Sequence, residues 1–374
     1  MVWDAIAGHA SVKKNLISAV KSGRLNHAYL FSGPSGVGKF LVAKAFAASI
    51  LCPDGGCGTC DVCRRIFEEK HPDVTIIRPA GKNIPVDTIR KVRLNAYRRP
   101  LEGVKTIFIF KNAERMWEEG ASTLLKILEE PPKNVIFILV TSNPSSILPT
   151  IRSRCMEVKF SMVPRKEVEA SLVKVKKVSG EEAELIARLT GGVLGRAYTW
   201  CDEPWRLARR EMVIKCARFL RRARVEDILE YARKITDEIG KSVVAVGELY
   251  GERKREIDNG TLDDGSRRMV LRELEEEGRR EQSKEETRSL KEILETFEWW
   301  YRDILIFEEG VDMSLIVNVD YADEIRDEAA VLTPERLVAC IEVIEESMRM
   351  AEQNVPVLLN LESTLLKIKE VLYA

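Results

Sequence analysis

Long apolar runs are missing from this 374-residue chain; none approaches the ~20 residues of a membrane span. That excludes a bilayer-crossing helix. The opening residues Met1-Val2-Trp3-Asp4 lack the basic region and apolar stretch of a secretory signal, so a soluble, cytoplasmic protein with no membrane partner is expected. An excess of charge is also missing: 59 basic residues balance 59 acidic ones. Overall charge therefore gives no support to nucleic-acid binding, and only a local basic face could. There is no internal repeat, and strand signals fade after about Met162.

What is present is a composition with 45% hydrophobic residues, enough to build two or three cores. Up to about residue 160 the pattern alternates. Ala28–Ser32, Asp73–Ile77, Val104–Phe110 and Val135–Thr141 read as strands. Gly38–Leu51, Val86–Arg98 and Glu118–Glu130 read as helices. Such alternation predicts an α/β module over 1–161, with a parallel sheet and helices on both faces. A small helical segment follows over 162–203, its helix Gly180–Leu189 stopped by Gly191-Gly192. Pro204 marks the boundary to an all-α remainder, 204–374. There Ala217–Ile235, Ile293–Glu308 and Pro334–Met350 have helical spacing. The mixed-charge run Glu252–Glu292 reads as solvated helix, or a binding arm, with a loop near Asp258–Gly265. Trp299-Trp300 reads as packing in a core or between subunits.

Residues Gly33-Pro34-Ser35-Gly36-Val37-Gly38-Lys39-Phe40 form a phosphate-binding loop between a strand and a helix. Its backbone N–H groups, with Gly33, Gly36 and Gly38 giving the turn, can cradle phosphate, and Lys39 can reach the outer phosphates. The final position should carry the Ser or Thr hydroxyl that ligates Mg²⁺; Phe40 has none. A metal-dependent ATPase also needs acidic residues at the end of a hydrophobic strand. The strand ending at Phe110 continues Lys111-Asn112, and Glu114 comes two to three residues too late and is expected to lie elsewhere. Hydrolysis is therefore not expected. Whether nucleotide is held at all, or Phe40 fills the space, stays open.

Cys52, Cys57, Cys60 and Cys63 fall within twelve residues. Four thiolates at this spacing can close a tetrahedral site with no open position, which suits structural zinc; free thiols, disulfides or an iron–sulfur cluster are the alternatives. A third feature is Ile151-Arg152-Ser153-Arg154-Cys155. Its arginines read either as surface ion pairs or as stabilisers of a transferring phosphoryl group.

Several of these motifs together resemble the bacterial clamp-loader AAA+ family. They are Leu25-Asn26-His27-Ala28-Tyr29-Leu30-Phe31 before the loop, the cysteine quartet, and Leu124-Leu125-Lys126-Ile127-Leu128-Glu129-Glu130-Pro131-Pro132. Ser153-Arg154-Cys155, Gly191-Gly192-Val193-Leu194-Gly195-Arg196-Ala197 and Asn354-Val355-Pro356-Val357-Leu358-Leu359-Asn360-Leu361-Glu362 complete the set. The resemblance covers most of the chain and is weakest over about 205–330. It implies an AAA+ module with a zinc-knuckle insertion, a helical lid and a helical collar for oligomerisation. Among members, the lost Mg²⁺ positions resemble the delta-prime stator rather than the gamma/tau motors. That implies a heteropentamer with gamma/tau and delta subunits in the DNA polymerase III holoenzyme, acting on the sliding clamp and primer-template DNA in a nucleoid-associated replisome. It also implies that Arg154, with Ser153, acts in trans at a neighbour's ATP site. Gly195 falls where motor subunits carry a nucleotide-sensing arginine, with Arg196 one place late. The cysteine interval Cys52–Cys57 is shorter than the family's. The competing readings are an active gamma/tau-type ATPase motor and a zinc-dependent nucleic-acid-binding module. Against the second stand the balanced charge and the single aromatic, Phe67, near the cysteines.

Overall fold

The computed structural model describes residues 1–79, 83–258, 264–353 and 355–373. The chain divides into two compact units, Met1–Asp202 and Glu203–Ala374.

In the first unit the order is α1 (Ala10–Lys21), β1 (Ala28–Ser32), α2 (Lys39–Leu51), α3 (Asp61–Phe67), β2 (Val74–Ile77), α4 (Val86–Ala96), β3 (Thr106–Lys111) and α5 (Glu118–Glu129). It continues with β4 (Val135–Thr141), α6 (Pro149–Arg152), β5 (Met156–Lys159), α7 (Arg165–Lys176), α8 (Gly180–Leu189) and α9 (Leu194–Asp202). The five strands form one parallel sheet in the order β2-β3-β4-β1-β5. The α/β module with a parallel sheet expected from the sequence is thus present. β1 and β4 are buried along their whole length, because both sheet faces are covered. Alternation sends Tyr29, Phe31, Ile107 and Ile109 to one face, where they pack with Val42 and Phe46 of α2. Leu30, Phe108, Phe110 and Phe137 face the other way, toward Ile89 of α4 and Leu124 of α5. A parallel sheet collects the C-terminal ends of its strands at one edge. Here that edge brings Ser32, Lys111 and Thr141 together, with Ser32 in register with Thr141 and Lys111 with Val140.

One helix and one strand are shorter than their sequence pattern suggests. The helix expected over Val86–Arg98 stops at Ala96, and the strand expected from Asp73 begins at Val74. Asp73 is occupied otherwise: its carboxylate accepts the N–H groups of Leu101, Glu102 and Gly103 at 2.6, 2.9 and 2.7 Å.

The second unit is helical: α10 (Trp205–Leu220), α11 (Val225–Asp258), α12 (Asp264–Glu308), α13 (Ala322–Ala329), α14 (Pro334–Glu352) and α15 (Val357–Tyr373). The periodic stretch Ala217–Ile235 is not one helix. It breaks between α10 and α11, where Asp227 accepts the N–H of Arg224 at 2.8 Å. Ile293–Glu308 is the end of the longer α12. Of the expected loop near Asp258–Gly265, residues 259–263 lie outside the described residues, as does Asn354. Trp300 is buried in the core with Phe297, Tyr301, Ile228, Leu337 and Leu365. Buried apolar residues stop at Ile239 on α11 and begin at Leu290 on α12. The outer parts of these helices carry the mixed-charge run and pack on each other, with Tyr250 against Gly278.

A buried ionic network crosses this core. Arg206, Arg209 and Arg210 on α10 are 2%, 5% and 4% exposed. Glu292 accepts from Arg206, and from Arg209 at 2.8 Å. Arg210 bonds Asp320 at 2.7 Å and Asn318 Oδ1 at 2.6 Å. Asn318 in turn donates to the fully buried Asp303 at 2.7 Å.

Candidate functional site

The phosphate loop leaves β1 at the sheet edge and enters α2 with Gly38 as the N-cap residue. Its shape depends on glycine at two places. At Gly33 (φ 143°) a Cβ would lie 2.2 Å from the Phe160 carbonyl oxygen. At Gly36 (φ 78°) it would lie 2.5 Å from Val193. Lys39 is 6% exposed, and its Nζ donates to the carbonyls of Gly33 at 2.6 Å and Pro34 at 2.5 Å. Burial pushes its pKa down, against a smaller upward pull from Glu114.

Beside the loop lies a cavity of about 350 Å³, bounded by Gly36, Lys39, Phe40, Lys111, Asn112 and Ser142 among others. Phe40 lines this space rather than filling it. Its ring centroid lies 5.1 Å from Lys44 Nζ, 5.2 Å from Lys111 Nζ and 5.7 Å from Arg78 Cζ. Each contact is a cation facing a π system. The residues that would hold Mg²⁺ in a hydrolytic site therefore do not fit it. An aromatic ring stands at the hydroxyl position, and an ammonium and an amide stand at the acidic ones.

Glu114 corrects the sequence reading. It does not lie away from the site. Asn112 takes a left-handed conformation (φ 56°) that turns the chain after β3, so Glu114 comes back to Ser142. Its Oε1 accepts the Ser142 hydroxyl at 2.8 Å and the Ser142 N–H at 3.4 Å. The signal was the αL-tolerant Asn directly after a strand.

The other flank of the loop is covered from two sides. His9 Nε2 is 2.7 Å from the Val37 carbonyl oxygen, and the ring meets Phe160 edge-on at 4.9 Å. The Gly195 N–H, at the start of α9, donates to the Gly36 carbonyl at 3.0 Å. Gly195 thus touches the loop beside Val193, and a Cβ there would lie 3.0 Å from the same oxygen.

Arg154 follows α6, whose first residue is Pro149. Its guanidinium donates to the Thr150 carbonyl at 3.0 Å and to Glu129 Oε1 at 2.9 Å, and its side chain is 37% exposed. Glu129 closes α5, so two of the sequence motifs meet in this pair. Arg154 is not among the residues bounding the cavity. Ser153 donates its hydroxyl to Thr150 O at 3.0 Å, while Arg152 pairs with Glu157 at 3.2 Å. Burial pushes the Cys155 thiol up to about 12.

The four clustered cysteines converge between α2 and α3. Their Sγ atoms all lie within 4.8 Å of one another, so the group could hold a metal ion. Cys52 Sγ is 3.8 Å from Cys57 Sγ and 3.6 Å from Cys60 Sγ. A tetrahedron of sulfurs about 2.3 Å from a metal has edges of about 3.8 Å. The sulfurs also accept as thiolates do: Gly58 N–H to Cys63, Cys60 N–H to Cys57 and Cys63 N–H to Cys60, each at 3.4 Å. Backbone and hydroxyl donation from Thr59 holds Cys57 down at about 6, and burial pushes Cys63 up to about 12. The donor set fits a metal held by four thiolates. The Val2 N–H bonds the Gly56 carbonyl at 2.9 Å, so the start of the chain covers the cluster.

Among the described residues no helix is long and apolar enough to cross a membrane. Comparison with known proteins bears on the first unit. Residues 8–164 match the family model described as DNA polymerase III, delta subunit. The chain is 36% identical over 185 residues to the DNA polymerase III subunit delta' of Bacillus subtilis, covering 49% of this chain and 56% of that one. It is 32% identical over 210 residues to subunit tau of the same organism, covering 54% and 37%. The chain thus spans about half the length of the delta' relative and about a third of tau. A solved gamma subunit-related protein of Thermotoga maritima superposes with a TM-score of 0.48 at 18% identity, covering 96% of this chain and 99% of that one. Over its N-terminal half this chain is therefore similar to the delta' and gamma/tau subunits of DNA polymerase III, and residues 8–164 carry the delta-subunit family pattern.

Proposed function

We propose that this chain is a non-hydrolysing, delta-prime type subunit of a clamp loader, and that it contributes Arg154 to the ATP site of a neighbouring motor subunit. The observation that carries this reading is the pair Phe40–Lys111. The loop keeps its backbone form, while both partners of the missing metal have become a ring and the cation that faces it. Phosphoryl transfer rests on positioning and charge stabilisation, so a site without hydroxyl or carboxylates at these positions has no route to it. Arg154 keeps a guanidinium at the surface, loosely held by the exposed Glu129, and can exchange that partner for a phosphate.

In this reading the parts are an AAA+ module (1–161), a lid (162–203) and a collar (204–374) that assembles with gamma/tau and delta subunits. The complex acts in the cytoplasm on the sliding clamp and primed DNA. The cysteine cluster holds zinc. When bound, the ion supplies a cross-link through Cys52, Cys57, Cys60 and Cys63; all four positions are protein thiolates, so its role is structural.

The gamma/tau similarity favours a second reading, an active motor. One assay separates them. The purified chain is incubated with ATP and Mg²⁺, alone and after co-purification with candidate motor and delta subunits. The stator reading expects stable co-purification and no turnover by the chain alone. Turnover that disappears in Lys39→Ala would establish the motor instead.

A further inference from the structure

We infer that the four-cysteine cluster acts through the start of the chain as a metal-dependent strap on the phosphate loop. With the metal bound, the cluster seats residues 2–9, and His9 at the far end of that segment holds the loop in shape. This rests on the zinc reading above and gives the ion a task beyond cross-linking its own turn.

The segment touches both ends of α2. At the C-terminal end, the Val2 N–H donates to the Gly56 carbonyl at 2.9 Å, inside the turn that carries the cysteines. Trp3 is 5% exposed, and its indole N–H donates to the Ser49 hydroxyl at 2.8 Å. The fit is close from the turn's side too: a Cβ at Gly56 (φ 91°) would lie 2.8 Å from both Ser49 Oγ and Val2 Cγ2. At the N-terminal end, His9 Nε2 lies 2.7 Å from the Val37 carbonyl oxygen. A carbonyl only accepts, so this nitrogen carries the proton. Ser49 is ten residues beyond Lys39 on α2, about 15 Å along the helix. The strap thus ties the cysteine turn to the loop by a second route, outside the helix that already joins them.

The far end is held, and the hold depends on the anchor. Gly8 and His9 are both left-handed, at φ 71° and 55°. That backbone is strained for histidine and persists only where contacts fix it. Gly8 lies against Val163, where a Cβ would come within 2.8 Å of Cγ2. Lys13 donates its ammonium to the Ile6 carbonyl at 2.8 Å and its N–H to the His9 carbonyl at 2.9 Å. Between Trp3 and His9 only Ile6 adds a buried apolar side chain. A short segment with so few buried contacts opens locally at low cost once its anchor goes. The anchor in turn needs the metal. Gly55, Gly56 and Gly58 all have positive φ and lie outside helix and strand, so the order of their turn depends on the ion gathering four thiolates. Seated and released are the two arrangements that coupling between the sites requires.

The test uses the full chain. It has three histidines, so His9 can be followed by its ring signals in ¹⁵N NMR, assigned with His9→Gln. Zinc is removed with a chelator and then restored, and amide exchange is measured in each state. Removing zinc should abolish the hydrogen-bonded Nε2–H signal of His9 and speed exchange at Val2 and Lys13 about tenfold or more. Ile107, whose N–H bonds the Asp73 carbonyl at 2.8 Å, should stay protected. Restoring zinc should reverse both changes. Trp3→Ala keeps every cysteine; it should retain zinc and still lose the His9 signal. Three results would each overturn the inference: Val2 freed while His9 and Lys13 stay unchanged, protection at Ile107 lost equally, or Trp3→Ala holding zinc with His9 unmoved. A chain that never binds zinc defeats the zinc reading itself, whereas zinc bound with His9 indifferent to it defeats only the strap.

Discussion

The Nζ of Lys111 lies 5.2 Å from the centroid of the Phe40 ring, although the two residues are 71 positions apart in sequence. They come from different elements, the end of β3 and the first turn of α2, and meet where a metal-dependent loop needs a carboxylate opposite a hydroxyl. Each replacement suits the other. A ring beside an aspartate would gain nothing, and an ammonium beside Mg²⁺ would repel it.

Restoring one partner should therefore restore nothing. Phe40→Thr alone and Lys111→Asp alone are expected to give no ATP turnover above background in a phosphate-release assay with Mg²⁺. Activity in either single variant would show that the other position is not limiting.

Asp73 supports a pH prediction. The residue is 2% exposed, and burial alone would raise its pKa. The N–H groups of Leu101, Gly103 and Glu102 outweigh that and hold the carboxyl below its ordinary 3.8. A depressed folded pKa gives stability that is fully present above the unfolded value, about 3.9, and is lost as pH falls through the folded one. Asp73→Asn should cost about 1.5–3 kcal/mol near neutrality. Its urea-unfolding stability should also fall less steeply than the wild type's below about pH 4. Parallel acid limbs in the two proteins would contradict this.

Glu292 holds two buried guanidiniums, so Glu292→Ala should destabilise the second unit by about 3–5 kcal/mol. The exposed pair Glu281–Lys284 provides the contrast, and Glu281→Ala should change stability by less than about 0.5 kcal/mol. Denaturant melts followed by tryptophan fluorescence, with Trp300 in that core, would read both.

For the cysteine cluster, elemental analysis of protein prepared without chelator should find about one zinc per chain, and Cys60→Ser should lose it. Because Val2 bonds Gly56, amide exchange at Val2 should speed up when the metal is stripped. Iron in place of zinc, or no metal, would overturn the assignment.

These features were legible in the sequence to different degrees. β1, β3 and β4 were plain because strands covered on both faces read as unbroken apolar runs. The loop was plain because its glycines are fixed by contacts such as Gly33 on Phe160. The break within Ala217–Ile235 was hidden: Leu220, Ala223 and Ile228 are all buried, so the apolar rhythm continues through the turn. Glu114 was misplaced because counting residues past a strand assumes the strand's direction continues, and Asn112 ends it. Nothing in the sequence marks Arg206, Arg209 and Arg210 as buried. Their burial depends on Glu292 and Asp320, which lie 86 and 110 residues from Arg206 and Arg210, and local pattern carries no such information.

The central claim is that the chemistry belongs to a neighbour and the arginine to this chain. The most direct measurement is clamp- and DNA-stimulated ATP hydrolysis by the reconstituted complex containing Arg154→Ala. An arginine supplied in trans is worth roughly 10³–10⁵ in rate. The account predicts that the variant assembles normally while hydrolysis at the adjacent site falls by about that factor. Normal assembly with undiminished hydrolysis would contradict it.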